Sequence, residues 1–309
     1  MMRPLLGHQV AHIGYSGPLP TLRHLCRLPS PNVVHAHLTL SEFLCCLAFI
    51  RSPGVGIVAT RHIAAPRGSS PLGRTASKLV RRRLNAQIAP SQFVADRVDG
   101  PCVVVVTGVP DAPLGPHNSQ VVLVAQRLEP EKDTKTALEA WAKCPLRSSG
   151  WQLQIAGTGS EDSRLRELAQ SLGILSTCTF LGHVEGVSAL MSEAAIVMCS
   201  APAEPFGLTA AEAMACGAPV VATGAGGHLE TVGRSADALI FAPGDASRAA
   251  HLLEELGNDI DRRRRYGMAL RRLQQENLSL DSFASTVEEV YDSLPPAALA
   301  SNTIGVSNG

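Results

Sequence analysis

Two carboxylates flank a glycine turn in the stretch from Ala203 to Val232, which reads AEPFGLTAAEAMACGAPVVATGAGGHLETV. Glu204 precedes the turn Pro-Phe-Gly, and Glu212 follows it by five residues. A glycine turn lets the backbone approach a ligand closely, and acids on either side of it are then candidates for contact with that ligand. This stretch is therefore the first candidate for a binding or catalytic site.

Glu212 is the unusual member of this pair. The spacing predicts a short helix over Leu208–Cys216, ended by Gly217, and Glu212 shares an otherwise apolar face of that helix. Either the acid faces a cleft with a ligand, or the positive end of the helix dipole favours it there. The dipole explains one glutamate, but not two around a glycine turn with a second glycine loop, Gly224–Gly227, behind them. We therefore favour a ligand site.

Arg127 and Lys132 lie in AQRLEPEKD, a predicted turn between a strand and a helix. Two cations near the unpaired N–H groups of a helix N-terminus suit a diphosphate, although they could instead pair with neighbouring acids. Gly157 and Gly159 follow the next predicted strand and either admit a ligand or form a tight turn. Neither glycine loop completes the dinucleotide fingerprint, which argues against an NAD enzyme.

Three histidines end predicted strands in the first part of the chain. His35 and His37 alternate with Ala36 and so share one face of a sheet, but no Cys, Asp or Glu set completes a metal site. We expect local hydrogen bonding for both and take His62 as the site candidate. The D-x-D sequence Asp259–Asp261 begins a predicted basic helix, where acids are ordinary N-terminal residues.

The elements that position these groups alternate between strand and helix, which predicts an α/β fold with parallel sheets. Ligands of such sheets bind at the carboxyl ends of the strands, where Arg127, Gly157, Glu204 and Gly224 all fall. The predicted strands of the first part are Gln9–Ile13, Asn32–Ala36, Gly56–Thr60, Ala86–Ala89 and Cys102–Val106. The predicted domains are residues 1–118, residues 119–279, a helix over 280–294 that packs back on the first domain, and a disordered tail over 295–309.

Composition narrows the class of protein. The 309 residues carry no net charge, which argues against a dedicated nucleic-acid binder. Eight cysteines without a C-x-x-C pair, and no secretion signal, predict reduced thiols and a cytoplasmic location. The basic runs Arg81–Arg83 and Arg262–Arg265 are solvated faces or contacts with anionic lipid, and the first run is the better candidate for peripheral membrane contact.

Residues 121–245 resemble a retaining glycosyltransferase with the GT-B fold, of the family 4 type. The resemblance is carried by QRLEPEKD, IAGTGS with FLGHV, EPFGLTAAEAMACGAPVVAT and GGHLE, in that order. In the first part, VVHAHL, VATRH, IAPS and VVTGVP resemble landmarks of the family's acceptor domain more weakly. The VVHAHL element already begins at Val33, so the resemblance implies a first domain shortened at its start.

The resemblance implies two Rossmann-like domains facing a cleft, and transfer of a sugar from a nucleotide diphosphate sugar to an acceptor hydroxyl without an obligatory metal. Glu204 would contact the donor sugar and Glu212 the ribose, while His62 would match the active-site histidine. The other residues that the resemblance assigns to donor binding are Arg127, Lys132, Gly157, Gly159, Phe206, Gly207 and Leu208.

A rival hypothesis belongs to another class of protein. In it, the chain is an inactive or weakly active relative of these enzymes that binds a nucleotide or a partner protein. The shortened first domain is the reason to retain this alternative.

Overall fold

The computed structural model describes residues 13–14, 17–28, 31–68 and 71–294. The chain divides into two compact units, of which unit 1 comprises residues 1–106 with 283–309 and unit 2 comprises residues 107–282. The strand predicted at Gln9–Ile13 lies, apart from its last residue, outside the described residues, and so does the tail over 295–309. Among the described residues, no helix combines the length and the apolar character needed to cross a bilayer.

Unit 1 is built on a parallel sheet of four strands in the order β1-β2-β3-β4. The strands are short runs of β-branched and small residues, and β2 is buried along its whole length. Its first eight elements are α1 (Pro18–Leu25), β1 (Val33–His37), α2 (Thr39–Ala48), β2 (Gly56–Thr60), α3 (Pro71–Arg83), β3 (Ala86–Ala89), α4 (Gln92–Ala95) and β4 (Val103–Val104).

Unit 2 is built on a parallel sheet of six strands in the order β10-β9-β8-β5-β6-β7. Its strands and helices are β5 (Val121–Ala125), α5 (Thr134–Lys143), β6 (Gln152–Ala156), α6 (Asp162–Ser171), β7 (Cys178–Gly182), α7 (Val187–Glu193), β8 (Ile196–Cys199), α8 (Leu208–Ala215), β9 (Val220–Thr223), β10 (Ile240–Phe241), α9 (Ala246–Asn258) and α10 (Ile260–Asn277). The two parallel sheets confirm the predicted α/β class. Asp259 accepts a hydrogen bond from the backbone N–H of Arg262 and so caps α10, as expected for the D-x-D sequence.

The last helix, α11 (Leu280–Asp292), belongs from Phe283 onward to unit 1. Its buried Val287 and Val290 pack with Val58 and Ile88 on one face of the four-stranded sheet. Helices α1, α2 and α3 supply a separate apolar cluster with β1 and β2. The sheet of unit 1 is thus covered by apolar side chains in two clusters.

A buried ionic cluster fixes the loop that follows β2. Glu42 on α2 is fully buried, and its Oε2 lies 2.5 Å from Nε of Arg67 and 3.3 Å from Nη1 of Arg61. Arg67 also donates to Asp99 at 3.0 Å and to Gln87 at 2.5 Å. Charges buried in this way need both ion pairing and hydrogen bonds, and here they have both. The loop that carries His62 is therefore held at both ends.

Candidate active site

Most of the predicted donor-binding residues lie in loops at one edge of the sheet of unit 2. Gly157 and Gly159 follow β6, and Leu208 and Glu212 lie on helix α8. The strands β5, β8 and β9 run parallel and side by side, so the loops that follow them meet at their carboxyl ends. These loops are Gln126–Asp133, Ser200–Gly207 and Gly224–Glu230. The sheet topology thus brings together segments that are up to a hundred residues apart in the sequence.

An ion pair joins two of these loops. Nζ of Lys132 lies 2.5 Å from Oε2 of Glu204, and both side chains are only 18% exposed. A charge-assisted bond at this distance is strong, and partial burial limits its screening by solvent. The structure therefore brings together one predicted cation and one predicted acid that are 72 residues apart in the sequence.

Two polar residues that the sequence analysis missed hold the Lys132 turn in place. Gln126 donates through Nε2 to the carbonyl oxygen of Lys132 at 2.9 Å, and Ser200 donates through Oγ to the same oxygen at 3.0 Å. Gln126 also donates to Oγ1 of Thr134 at 2.9 Å. The available signal was their position, because each directly follows a buried strand. These bonds fix the turn from which the Lys132 side chain extends.

Arg127 has a different environment from Lys132. Nη2 of Arg127 lies 2.8 Å from Oε1 of Glu131, and both side chains are largely exposed. This is the local pairing considered as the alternative reading of the sequence. Exposed pairs of this kind contribute little free energy, so Arg127 can exchange Glu131 for an incoming anion at small cost.

The glycines of this edge allow backbone segments to pack without side chains between them. A Cβ on Gly157 would overlap the carbonyl oxygen of Gln126, and a Cβ on Gly159 would overlap that of Leu128. Gly227 similarly abuts the backbone of Phe206, and its N–H donates to the carbonyl oxygen of Glu204 at 2.7 Å. The two glycine loops therefore fix the positions of the Lys132 turn and of the Glu204 backbone.

Gly157→Ala is expected to destabilise the fold much more than Gly173→Ala. Both glycines have positive φ, +144° and +66°, but only Gly157 has backbone in the space that a Cβ would take. We expect Gly173→Ala to lower the free energy of unfolding by about 1 kcal/mol and Gly157→Ala by roughly 3 kcal/mol or more. Chemical denaturation of both variants measures the difference, and equal losses would contradict the packing described here.

Glu212 lies on the solvent side of α8 rather than on a buried face. Leu208 and Glu212 are exposed, whereas Ala211 and Ala215 are buried. Desolvation raises the pKa of the Glu212 carboxyl. Within the described part of the chain, the structure gives this carboxylate no hydrogen bond or ion pair. It is thus an accessible acceptor next to the turn formed by Phe206 and Gly207.

His228 is a third residue that the sequence analysis did not single out. It lies in the glycine loop after β9 and is 2% exposed, and its Nδ1 has no hydrogen-bond partner among the described residues. Burial lowers the pKa of His228 to about 4. A Cβ on Gly207 would lie 2.8 Å from Cδ2 of His228, so the buried ring needs glycine at that position. A histidine inside a glycine loop was the available signal.

Three histidines of unit 1 form one cluster. His35 and His37 were predicted to share a sheet face, and His62 joins them. The rings of His35 and His37 stack with centroids 4.6 Å apart, and Nδ1 of His37 lies 3.0 Å from Nε2 of His62. His35 is hydrogen-bonded on both nitrogens, to the hydroxyl groups of Tyr291 at 2.6 Å and Thr60 at 2.7 Å. No group of three or more His, Cys, Asp or Glu side chains in the described residues is arranged to hold a metal ion.

The cluster makes the stability of unit 1 sensitive to acid. Burial, together with His37 and His62, lowers the pKa of His35 from 6.5 to about 3. Below pH 6.5 the unfolded chain binds a proton here that the folded chain does not, so stability falls as the pH falls. Between pH 6.5 and pH 4.5, the free energy of unfolding of the wild type should fall by about 2–3 kcal/mol more than that of His35→Gln. Chemical denaturation at several pH values measures this difference. His183→Gln, at an exposed histidine, is the control and should show the same change in the free energy of unfolding with pH as the wild type. Identical slopes in wild type and His35→Gln would refute the prediction.

Comparison with protein-family models matches both parts of the chain. The model described as glycosyl transferases group 1 matches residues 110–272, which is more than half of the chain. The model described as Glycosyltransferase Family 4 matches residues 5–110.

Curated proteins match about half of the chain. An exopolysaccharide phosphotransferase of Streptomyces coelicolor is 32% identical over 150 residues, which cover 48% of this chain and 16% of that protein. A glycogen synthase of Mycobacterium tuberculosis is 29% identical over 172 residues, which cover 55% of this chain and 42% of that protein. The chain thus spans less than half of the length of either relative.

Solved structures match the fold over almost the whole chain. HepE of Anabaena, solved in complex with UDP and glucose, superimposes with a TM-score of 0.75 at 22% identity. The match covers 92% of this chain and 84% of that one. Likeness at this level of identity shows the fold, and it confirms the GT-B architecture that the sequence motifs implied.

Proposed function

The chain belongs to the family of glycosyl transferases group 1, and we propose that it transfers a sugar from a nucleotide diphosphate sugar to an acceptor hydroxyl with retention of anomeric configuration. The observation that carries the proposal is the ion pair between Lys132 and Glu204 at the carboxyl edge of the sheet of unit 2. A cation for a diphosphate and an acid for sugar hydroxyls are held there side by side. We assign the donor to residues 119–279.

Lys132 and Arg127 act on the leaving group in this proposal. Negative charge builds up on the diphosphate as its bond to the anomeric carbon breaks, and a cation fixed in advance lowers the free energy of that state. Lys132 is held by the bonds that its turn receives from Gln126 and Ser200. Arg127 is exposed and joins by leaving Glu131. These two cations supply the positive charge without an obligatory metal.

Glu204 and Glu212 act on hydroxyl groups. When the diphosphate takes Lys132, one oxygen of Glu204 becomes free to accept hydrogen bonds from the donor sugar. Glu212, without a partner in the described part of the chain, accepts bonds from the ribose hydroxyls. The backbone N–H groups of Phe206, Gly207 and Leu208 at the start of α8 meet sugar and phosphate, because the first turn of a helix leaves its N–H groups unpaired.

Bond formation and bond breaking occur on the same face of the sugar. The acceptor oxygen forms a bond to the anomeric carbon while the bond from that carbon to the phosphate oxygen breaks. The acceptor proton passes to the departing phosphate, so no general base of the protein is required. His62 donates or accepts a hydrogen bond at a sugar hydroxyl, and the hydrogen bond between His37 and His62 orients its ring. The acceptor class is a glycan, a lipid or a small molecule.

We place the protein in the cytoplasm with peripheral membrane contact. All eight cysteines are free, which supports a reducing compartment.

The test is turnover of a panel of nucleotide diphosphate sugars by the purified chain, with UDP-glucose first because HepE was solved with UDP and glucose. Release of nucleoside diphosphate, with a product of the same anomeric configuration in its NMR spectrum, is the expected result. Donor binding without hydrolysis or transfer to any acceptor would favour the rival, a nucleotide-binding relic. Absence of nucleotide binding would refute both.

A further inference from the structure

Although the chain has no net charge, its basic and acidic residues are concentrated in different parts of the sequence. Residues 1–95 contain eleven Lys and Arg but a single acid, Glu42, whereas residues 96–309 contain sixteen Lys and Arg and twenty-six acids. Separation of this kind between parts of a chain is typical of proteins that contact polyanions or membranes. The next question is which cations of unit 1 are exposed and which are paired with an acid.

The one acid of this segment does not reach the surface. Glu42 is fully buried and pairs with Arg61 and Arg67, which are buried with it. The cations that remain exposed on or beside the first three helices are not offset by an acid of residues 1–95. They are Arg23, Arg27, Arg51, Arg74, Lys78, Arg81 and Arg82.

The three helices α1, α2 and α3 form one layer. They share an apolar cluster against β1 and β2, and Arg83 of α3 donates to the carbonyl oxygens of Ser52 and Val55, just beyond α2, at 2.9 Å each. Side chains opposite that cluster therefore point away from the sheet together. On α3 these are Arg74, Lys78 and Arg82, which recur every four residues opposite the buried Val80.

The outer side of the same layer carries large apolar side chains. On and just after α2, the exposed residues are spaced by three and four positions and so form one stripe. With one residue each from α1 and α3, they are between 41% and 67% exposed. They are Leu19, Leu40, Phe43, Leu47, Ile50 and Leu79. Large apolar side chains exposed together on one side of a layer indicate an interaction site.

We propose that the outer side of α1, α2 and α3, called here the α1–α3 surface, docks on a bilayer of anionic lipids. Cations attract the headgroups, and leucine, isoleucine and phenylalanine side chains between them enter the acyl boundary. Nucleic acid would match the charge but not the aliphatic stripe on α2. The inference names the surface for the membrane contact proposed above and is independent of the transfer reaction.

Vesicle flotation of the full chain tests the proposal. Wild type should bind vesicles of phosphatidylcholine with 30% phosphatidylglycerol, bind vesicles of phosphatidylcholine alone far more weakly, and lose binding as salt is raised. Because each surface cation contributes about a factor of five to partitioning, Arg74→Gln/Lys78→Gln/Arg82→Gln should bind roughly 100-fold more weakly. Phe43→Ser/Leu47→Ser leaves the net charge unchanged and should bind the anionic vesicles about tenfold more weakly than wild type, or weaker still.

The chain offers a matched control for charge. Arg264, Arg265 and Arg272 are exposed on α10 in unit 2, and their triple replacement by Gln removes the same charge. This control should retain wild-type vesicle binding. Equal loss in both triple variants, or no preference of wild type for anionic vesicles, would overturn the proposal. The proposal would also be overturned if wild type bound single-stranded RNA but not vesicles, and if Arg74→Gln/Lys78→Gln/Arg82→Gln abolished that RNA binding. Unchanged far-UV circular dichroism and donor binding establish that each variant is folded, so that failure here leaves the proposed function intact.

Discussion

Glu204→Gln lowers kcat/KM for sugar transfer at least 100-fold while leaving nucleoside diphosphate binding intact or stronger. The amide keeps the shape of the side chain but loses the charge and one acceptor oxygen, so hydrogen bonds to the donor sugar weaken. Lys132 is at the same time released from an ion pair of 2.5 Å that a diphosphate would otherwise have to break. Opposite effects on transfer and on nucleotide binding are thus expected from one substitution.

The measurement for Glu204→Gln combines steady-state transfer with calorimetric titration of the nucleoside diphosphate. Glu185→Gln is the control, because Glu185 is an exposed acid of the same unit. It should behave as wild type in both assays. If Glu204→Gln keeps more than a third of wild-type transfer, or loses nucleotide binding, the role given to Glu204 is wrong.

Lys132→Ala weakens both nucleotide binding and transfer, and transfer the more strongly. Loss of one fixed cation at a developing charge typically costs a factor of about 100 to 1,000 in rate. The diphosphate already carries charge in the bound state, so we expect a loss of about tenfold in nucleotide affinity as well. The partly buried Glu204 also loses its partner, which should lower the free energy of unfolding by about 1–3 kcal/mol.

Lys135→Ala is the matched control for Lys132→Ala. Lys135 lies three residues further along, is 60% exposed and pairs with Glu139 on its own helix. The same change of charge and size there should alter nucleotide affinity and transfer by less than a factor of two. Equal effects of the two substitutions would mean that net charge, rather than the position of Lys132, determines donor binding.

The sequence predicted the elements of unit 2 closely because several of its strands, such as β5 and β8, are short apolar runs bounded by glycine or polar turns. α8 begins at Leu208, the residue predicted for its start. Helix α1 was not predicted, because prolines at positions 18 and 20 indicate a turn although proline is well tolerated in the first turn of a helix.

The site could be predicted only in part. Topology puts Lys132 and Glu204 at the same sheet edge, but their direct contact depends on the Gln126 and Ser200 bonds that fix the turn. Those bonds depend on side-chain directions that no periodicity encodes. Glu212 was expected on an apolar face, and it lies on the solvent side of a helix whose other face is buried.

Determination of the structure of the chain with an intact nucleotide diphosphate sugar, or a non-hydrolysable analogue, tests the central claim most directly. We predict that Nζ of Lys132 leaves Glu204 and lies within 3.2 Å of a phosphate oxygen, about the limit of a hydrogen bond. Glu204 then accepts bonds from the sugar and Glu212 from the ribose. A donor bound elsewhere on the chain, or a Lys132–Glu204 pair that persists in the complex, would contradict the account.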